Sequence, residues 1–493
     1  MVANIPSDIV APLLAFDVES AGQFTSETKM ILLGHGLAAG TLAEGGISLC
    51  SSVNEARALA GRGSMLEGMV IRTLQNAPSQ ELYLGRVADA GTAEIRTVTI
   101  GVVPANGGQG VLQLAGEDVS IEIAAGTSAN AVATALAAAV NVYFNAATKK
   151  SLPFTATAAT NVVTLTARHK GVYASKLDAF VPIIDGGNAF NGILTFATTT
   201  AGAGVPDVAV VLAAMGDDPF EIVISAFGDD SNRTKLDDFH NSTGGRWSYA
   251  QQIYGHAFYP KTGTTAELTV SALAKDTWHL TMIPILSNSG MATPDYEFVA
   301  AVIGRIAPLL GSGADGRVSV NQTGLKVEGV LAPRDRTYWP VYNTRDVFLK
   351  NGVSAWKVNT SGDVLIDKII TQQQTSKDGV PDTVFRDIQA VYQLTYGLKF
   401  HRIALANEHS NKAIVDDNPA NNPNLRTTKD IKATLVNSTV QLQMRGVVEA
   451  SQELLDQIAV TRDLDNRGRV NIELPIDRAN PLDVFAGLAR VYS

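Results

Sequence analysis

The chain has 493 residues, with 39 Lys and Arg against 48 Asp and Glu, for a formal net charge of −9. It is 45% hydrophobic and 18% charged, enough to build a core, which excludes disordered, collagen-like and disulfide-built classes; the acidic balance argues against a nucleic-acid partner. The single cysteine, Cys50, rules out an intrachain disulfide and a cysteine-rich zinc site, and reads as a small buried hydrophobe.

Residues 1–22 read as an extended arm. Pro6 and Pro12 block a long helix, and apolar side chains persist without helical period: Ile5, Ile9, Val10, Leu13, Leu14. Twenty-two extended residues reach roughly 70 Å. Residues 1–11 carry Asp8 and no Lys or Arg, so they are not expected to act as a signal peptide. No run approaches the ~18 consecutive apolar residues of a membrane helix, and no membrane insertion is expected.

Residues 23–88 read as the first part of an α/β core. A strand is expected at 29–33 and another at 81–87. Between them Ser64 and Glu67 have capping-box spacing and open a helix to about residue 76, stopped by Pro78. Residues 89–205 change to Gly, Ala, Thr and Val, with strands at 96–103, 111–114, 119–123, 154–158 and 162–167 and a helix at 128–147. This reads as an inserted β-rich module. Residues 206–467 resume the α/β pattern. Helices are expected at 207–215, 264–274, 296–310, 382–407 and 429–457, and strands at 220–227 and 279–286. The run 418–424, Asn-Pro-Ala-Asn-Asn-Pro-Asn, is a polar turn. Residues 468–493 read as a second arm. Val470, Ile472, Leu474 and Ile476 alternate with polar positions or Pro475, and 482–492 is a further strand candidate. Neither arm has an obvious strand partner nearby in sequence. The fold class is therefore α/β, multi-domain: a layered α/β core completed by N- and C-terminal extended arms, with an inserted β-rich (α+β) module.

The motifs that could carry chemistry lack their context. Gly34-x-Gly36 with Gly40 follows a strand, but the residues after it make a poor helix, so no helix N-terminus faces a pyrophosphate. Gly311, Gly313 and Gly316 match G-x-G-x-x-G after a helix, with Arg317 and Val318 where a P-loop needs Lys and Ser or Thr. The seven histidines include no i, i+4 pair on one helix. A Gly-x-Ser-x-Gly elbow is absent. No catalytic residue, cofactor or metal is expected. Strand-like arms without local partners point to β-augmentation of neighbours, hence to a polymer.

Ordered stretches along nearly the whole chain give it a resemblance. They begin with the arm from Ile5 to Leu13 and the stretch Gly61-Arg-Gly-Ser-Met-Leu-Glu-Gly-Met69. In the insert they include Leu152-Pro-Phe-Thr-Ala156 and the run from Val163 to Gly171. Further on come Leu331-Ala-Pro333, Asn351-Gly-Val353, the run from Val358 to Val364, and Ile370-Thr-Gln-Gln-Gln374 with Gly379, Asp382 and Asp387. Leu474-Pro-Ile-Asp477 and Val484-Phe-Ala486 close the series. Together they resemble the contractile tail sheath proteins of Mu-like bacteriophages.

The resemblance implies a structural subunit that polymerises helically around a tail tube and contracts to drive the tube through the host envelope. It implies self-association, a tail tube protein, and baseplate and tail terminator proteins as partners. It places the subunit in the virion tail after assembly in the host bacterial cytoplasm, with the insert outward. Two other readings stay open: the sheath of a phage-tail-like bacteriocin or secretion machine, and a nucleotide-binding α/β enzyme. The residues expected at the subunit interface are Ile9, Val10, Leu13 and Leu14 from the first arm, and Ile472, Leu474, Val484, Phe485 and Leu488 from the second.

Overall fold

The run Lys29–His35 (β1) is apolar and buried from Met30 to Leu33, as a strand covered on both faces must be. It lies at the centre of a six-stranded sheet in a computed structural model that describes residues 28–491. From β1 the chain runs through β2 (Ile47–Leu49), α1 (Val53–Ala60) and α2 (Met65–Asn76) to β3 (Leu82–Val87). β3 is parallel to β1, with Met30 opposite Leu82. Ser64 caps α2 by accepting from the Glu67 amide at 3.1 Å. The expected capping box is only half made, because the Glu67 carboxylate turns to Arg57 at 2.6 Å and to the Gly63 amide.

The next strands are β4 (Ala93–Ile100), β5 (Gly108–Leu114) and β6 (Glu117–Ile123), followed by α3 (Ala129–Val142). Then come β7 (Phe154–Ala159), β8 (Val162–Lys170), β9 (Ala179–Phe180) and β10 (Leu194–Thr200). They form an antiparallel sheet of order β10-β4-β8-β7 and a second of order β6-β5-β9. α3 packs Val132, Leu136 and Val140 inward against strands of both sheets. It ends at Val142, short of the expected residue 147. The segment's entry and exit cross in contact. Thr92 bridges Ala203, and a Cβ on Gly91 would stand 1.7 Å from the Ala203 carbonyl oxygen. Only glycine fits there, and the Gly-rich run near 202–204 has the same reason: a Cβ on Gly202 would stand 2.3 Å from Gly171 O, and one on Gly204 2.4 Å from Ala90 O.

The chain then returns through α4 (Ala209–Ala214), β11 (Phe220–Ser225), α5 (Asp230–His240), β12 (His256–Gly263), α6 (Thr265–Leu273), β13 (Leu280–Leu286) and α7 (Asp295–Leu310). The completed sheet has the order β13-β12-β11-β1-β3-β2, parallel except for β2. α7 packs on α2 and is buried along most of its length. α8 (Tyr342–Lys350), β14 (Ala355–Val358) and β15 (Val364–Lys368) follow. The region around them closes the β13 edge: the Ser354 amide donates to Met282 O at 3.3 Å and the Gln372 amide to Leu280 O at 3.1 Å.

The last part holds α9 (Ile388–His409), β16 (Ala413–Ile414), β17 (Leu425–Arg426), α10 (Thr428–Met444), β18 (Val448–Glu449), α11 (Gln452–Gln457), β19 (Ala459–Arg462), β20 (Val470–Glu473) and β21 (Asp477–Arg478). Several expectations are corrected here. The helix expected from 382 begins at Ile388, because Thr375 bridges Pro381 and Ile370 bridges Asp387 before it. The helix expected over 429–457 is two helices. α10 ends at Met444, and Gly446 turns the chain in the left-handed region at φ 72°. No strand forms over 482–491.

Candidate assembly surface

Polymer formation would need apolar or hydrogen-bonding groups that the chain leaves open, and among the described residues the C-terminal segment holds the largest run of exposed apolar ones. β19 and β20 form an antiparallel hairpin, with Val460 opposite Ile472. The alternating strand therefore has a partner just upstream in its own chain, contrary to the expectation that it lacks one nearby. Ile472 remains 42% exposed. Leu474 packs against a small satellite core of Ile431, Leu435, Ala450, Leu455 and Ile458, separate from the main core.

Beyond the hairpin the chain is fastened at five points. β21 pairs with β18, Val448 opposite Arg478. The buried Gln393 amide donates to Ala479 O and to Ser319 Oγ, both at 2.7 Å. The Arg478 guanidinium donates to Val384 O at 2.8 Å; burial lowers its pKa, opposed by the Asp387 and Asp477 carboxylates. Asn321 Nδ2 donates to Leu482 O at 2.7 Å. Finally the Lys368 ammonium, 3.1 Å from Asp387, also pairs with Asp483.

From Val484 to Val491 the backbone adopts no regular structure. Val484 is 76%, Phe485 87% and Leu488 80% exposed. Burying side chains of this size stabilises by about 1.5–3 kcal/mol each, so the stretch offers apolar surface that a contact could cover. The structure thus splits the five C-terminal residues into two groups. Ile472 and Leu474 sit on and beside a hairpin the chain makes with itself. Val484, Phe485 and Leu488 share the exposed stretch. Ile9, Val10, Leu13 and Leu14 lie outside the described residues.

The anchors Gln393, Asn321, Lys368 and Arg478 were not read from the sequence. One signal was available: Gln389 and Gln393 stand at i, i+4 on the buried face of α9, and buried amides imply fixed partners.

Strand addition elsewhere is limited. β13 is covered as described, and β2 is three residues long. On β7, both backbone groups of Ala156 are taken by the Asn141 side chain, at 2.7 and 2.9 Å. β10 is an exposed edge.

The glycine motifs serve packing. After β1 the chain enters turns, and no helix starts before Val53. Gly313 lies against Tyr396, where a Cβ would come within 2.3 Å of the ring. Among the described residues no group of three or more His, Cys, Asp or Glu is placed to hold a metal ion. None of the described helices is long and apolar enough to cross a membrane.

No family model matches the chain. It is 26% identical over 503 aligned residues to the Mu-like prophage FluMu tail sheath protein of Haemophilus influenzae, covering 98% of this chain and 97% of that protein. Among solved structures it is similar to the sheath tail protein Lin1278 from Listeria innocua, with TM-score 0.48, 14% identity and 92% of each chain covered. It is also similar to a chain of the anti-feeding prophage baseplate, with TM-score 0.48, 12% identity, and 99% and 100% of the two chains covered.

Proposed function

We propose that this chain is the structural subunit of a contractile tail sheath of the Mu-like kind, a helical homopolymer around a tail tube that drives the tube through the host envelope by contracting. The observation that carries the reading is the end-to-end match to a tail sheath protein, 98% of one chain on 97% of the other. An enzyme sharing only a nucleotide-binding core would match over part of its length. The exposed Val484–Phe485–Leu488 stretch beyond a fastened base supports it, because a protein that stayed single would keep these side chains unsatisfied.

The role asks for no catalysis and no cofactor. Contraction requires only that the contracted lattice be lower in free energy, with a barrier between two packings of the same subunits. In this reading the partners are further copies of the chain, the tail tube protein, and the baseplate and tail terminator proteins. The subunit assembles in the bacterial cytoplasm and ends in the virion tail. We assign residues 1–22 and 468–493 as arms, 89–205 as the outward module, and 23–88 with 206–467 as the core. The apolar residues of the arms form the subunit interface.

The test is electron microscopy of the purified chain across a concentration series, with and without tail tube protein. Tubes of constant diameter are expected, at the latest when the tube protein is added. A small particle that persists with tube protein present overturns the reading.

A further inference from the structure

The order β13-β12-β11-β1-β3-β2 has a switch point. From β1 the chain goes one way to β3, and after the long excursion it returns on the other side at β11. In open parallel sheets of this kind, ligands sit in the crevice outside the carboxyl ends of the strands at that point. Here the crevice exists as a cavity of about 260 Å³. Its floor is the carboxyl end of the sheet: His35 ending β1, Ala226 and Phe227 after β11, and Pro260, Lys261 and Thr262 in β12. Its roof is the segment after β8, from Lys170 through Tyr173 to Lys176.

The lining combines two chemistries. Tyr173 and Phe227 are buried aromatic rings and supply an apolar wall. Three lysines, Lys170, Lys176 and Lys261, face one carboxylate, Asp229, among the lining residues. Asp229 is already committed, since it caps α5 by accepting from the Asn232 amide at 3.0 Å. Lys176 is paired with Asp295 at 2.7 Å, and Lys261 stands 3.5 Å from Asp230 and 3.3 Å from Gly228 O. Lys170 therefore supplies the least compensated charge.

The histidines beneath contribute none of it. His169 Nε2 accepts from the Met65 amide at 3.0 Å, which leaves its Nδ1–H directed to Asp89 at 3.2 Å. His35 Nδ1 donates to Val87 O at 2.9 Å, and burial brings its pKa down to about 4, so it is neutral at physiological pH.

We propose that this crevice binds a small organic anion, with its charged head at Lys170 and Lys261 and its apolar body against Tyr173 and Phe227. A bound anion would touch both the sheet and the segment that roofs it, and so would brace one against the other.

The probe is phenyl phosphate, titrated calorimetrically into the full chain, with inorganic phosphate and benzyl alcohol as half-probes. Saturable binding of phenyl phosphate is expected, tighter than either half-probe. Lys170→Ala should weaken it about tenfold, Lys170→Arg should retain it, and Lys261→Ala should weaken it independently, each variant being checked as folded by circular dichroism. Absence of saturable binding at millimolar phenyl phosphate in the folded wild type overturns the site. Wild-type affinity in both alanine variants overturns the assigned head group position. Inorganic phosphate binding as tightly as phenyl phosphate overturns the apolar half.

Discussion

The ammonium of Lys150, between α3 and β7, lies 3.0 Å from the carboxylate of Glu297 on α7. Both side chains are buried. Glu297 also accepts from Arg72 Nε on α2 at 2.9 Å, and Lys150 donates to Ala115 O at 2.8 Å. Burial pulls the Lys150 pKa down, and the Glu297 charge holds it up. One ion cluster thus joins the 93–200 segment to two helices under the main sheet.

Breaking a buried pair from one side is costly because the other charge stays behind. Lys150→Ala leaves Glu297 with Arg72 alone, and is expected to cost about 3 kcal/mol. Lys150→Met, which keeps most of the volume, should cost no more than Lys150→Ala. Urea denaturation of the two variants checks the order, and an unchanged midpoint for Lys150→Ala would contradict the role of the pair.

Removing residues 484–493 should leave the fold intact, since the five fastenings lie upstream of the cut. The truncated chain should melt as the wild type does and fail to form long tubes. Thermal denaturation and microscopy on the same preparation check both halves. Wild-type-like tubes would remove these residues from the interface.

Phe485→Asp is the point version of the same experiment. It places a charge at an 87% exposed position, so its effect on monomer stability should be within about 0.5 kcal/mol. Assembly should shift to at least tenfold higher protein concentration, read by sedimentation.

Three buried histidines predict acid lability. His240 ends α5, His256 opens β12 and His279 precedes β13. Burial lowers His240 to about 3 and His279 to about 4, and takes His256 well below its ordinary value. The charges acting on them are one another and, at His240, Arg246; all of these disfavour protonation. Below the ordinary value of 6.5 the unfolded chain takes up protons that the folded chain refuses. Stability contributed by the neutral rings is therefore full above about pH 6.5 and falls as pH drops toward 3. The melting temperature should decline over that window, and His279→Asn should shallow the decline if it folds. A flat profile from pH 6.5 to 4 would exclude this account.

Gly313→Ala tests the motif that reads as a nucleotide loop. A Cβ there meets the Tyr396 ring at 2.3 Å, and overpacking of this kind costs about 1–3 kcal/mol. A fall in the urea midpoint is expected, with no saturable nucleotide binding by either the wild type or the variant, since the glycine serves packing.

The strands with continuous apolar runs, such as β1 and β11, were legible because burial on both faces leaves only one pattern. α5 was not. Its sequence Asp-Ser-Asn-Arg-Thr-Lys-Leu-Asp-Asp-Phe-His carries only Leu236 and Phe239 as large apolar residues, and the Asp229 cap with the buried Arg233 and His240 holds it instead. β12 was hidden by Pro260, which argues against an interior strand. The ladder to β11 ends at Phe258, so the missing amide of Pro260 falls where no partner strand remains on that side. The C-terminal residues were legible as apolar and extended. Their division into a self-paired hairpin and an open stretch was not, because the strand of 459–462 is too short to announce itself as a partner. The fastenings are long-range polar contacts, which leave no periodic trace.

The last fastening, at Asp483, sets a leash. The five residues 484–488, which carry Val484, Phe485 and Leu488, come next, and at full extension they span about 17–18 Å. Whatever they grip must lie within that radius of Lys368. A lattice that stretched neighbouring subunits beyond it would have to release the grip or pull Asp483 from its lysine. The travel such a lattice would permit is therefore written into the chain as a count of residues.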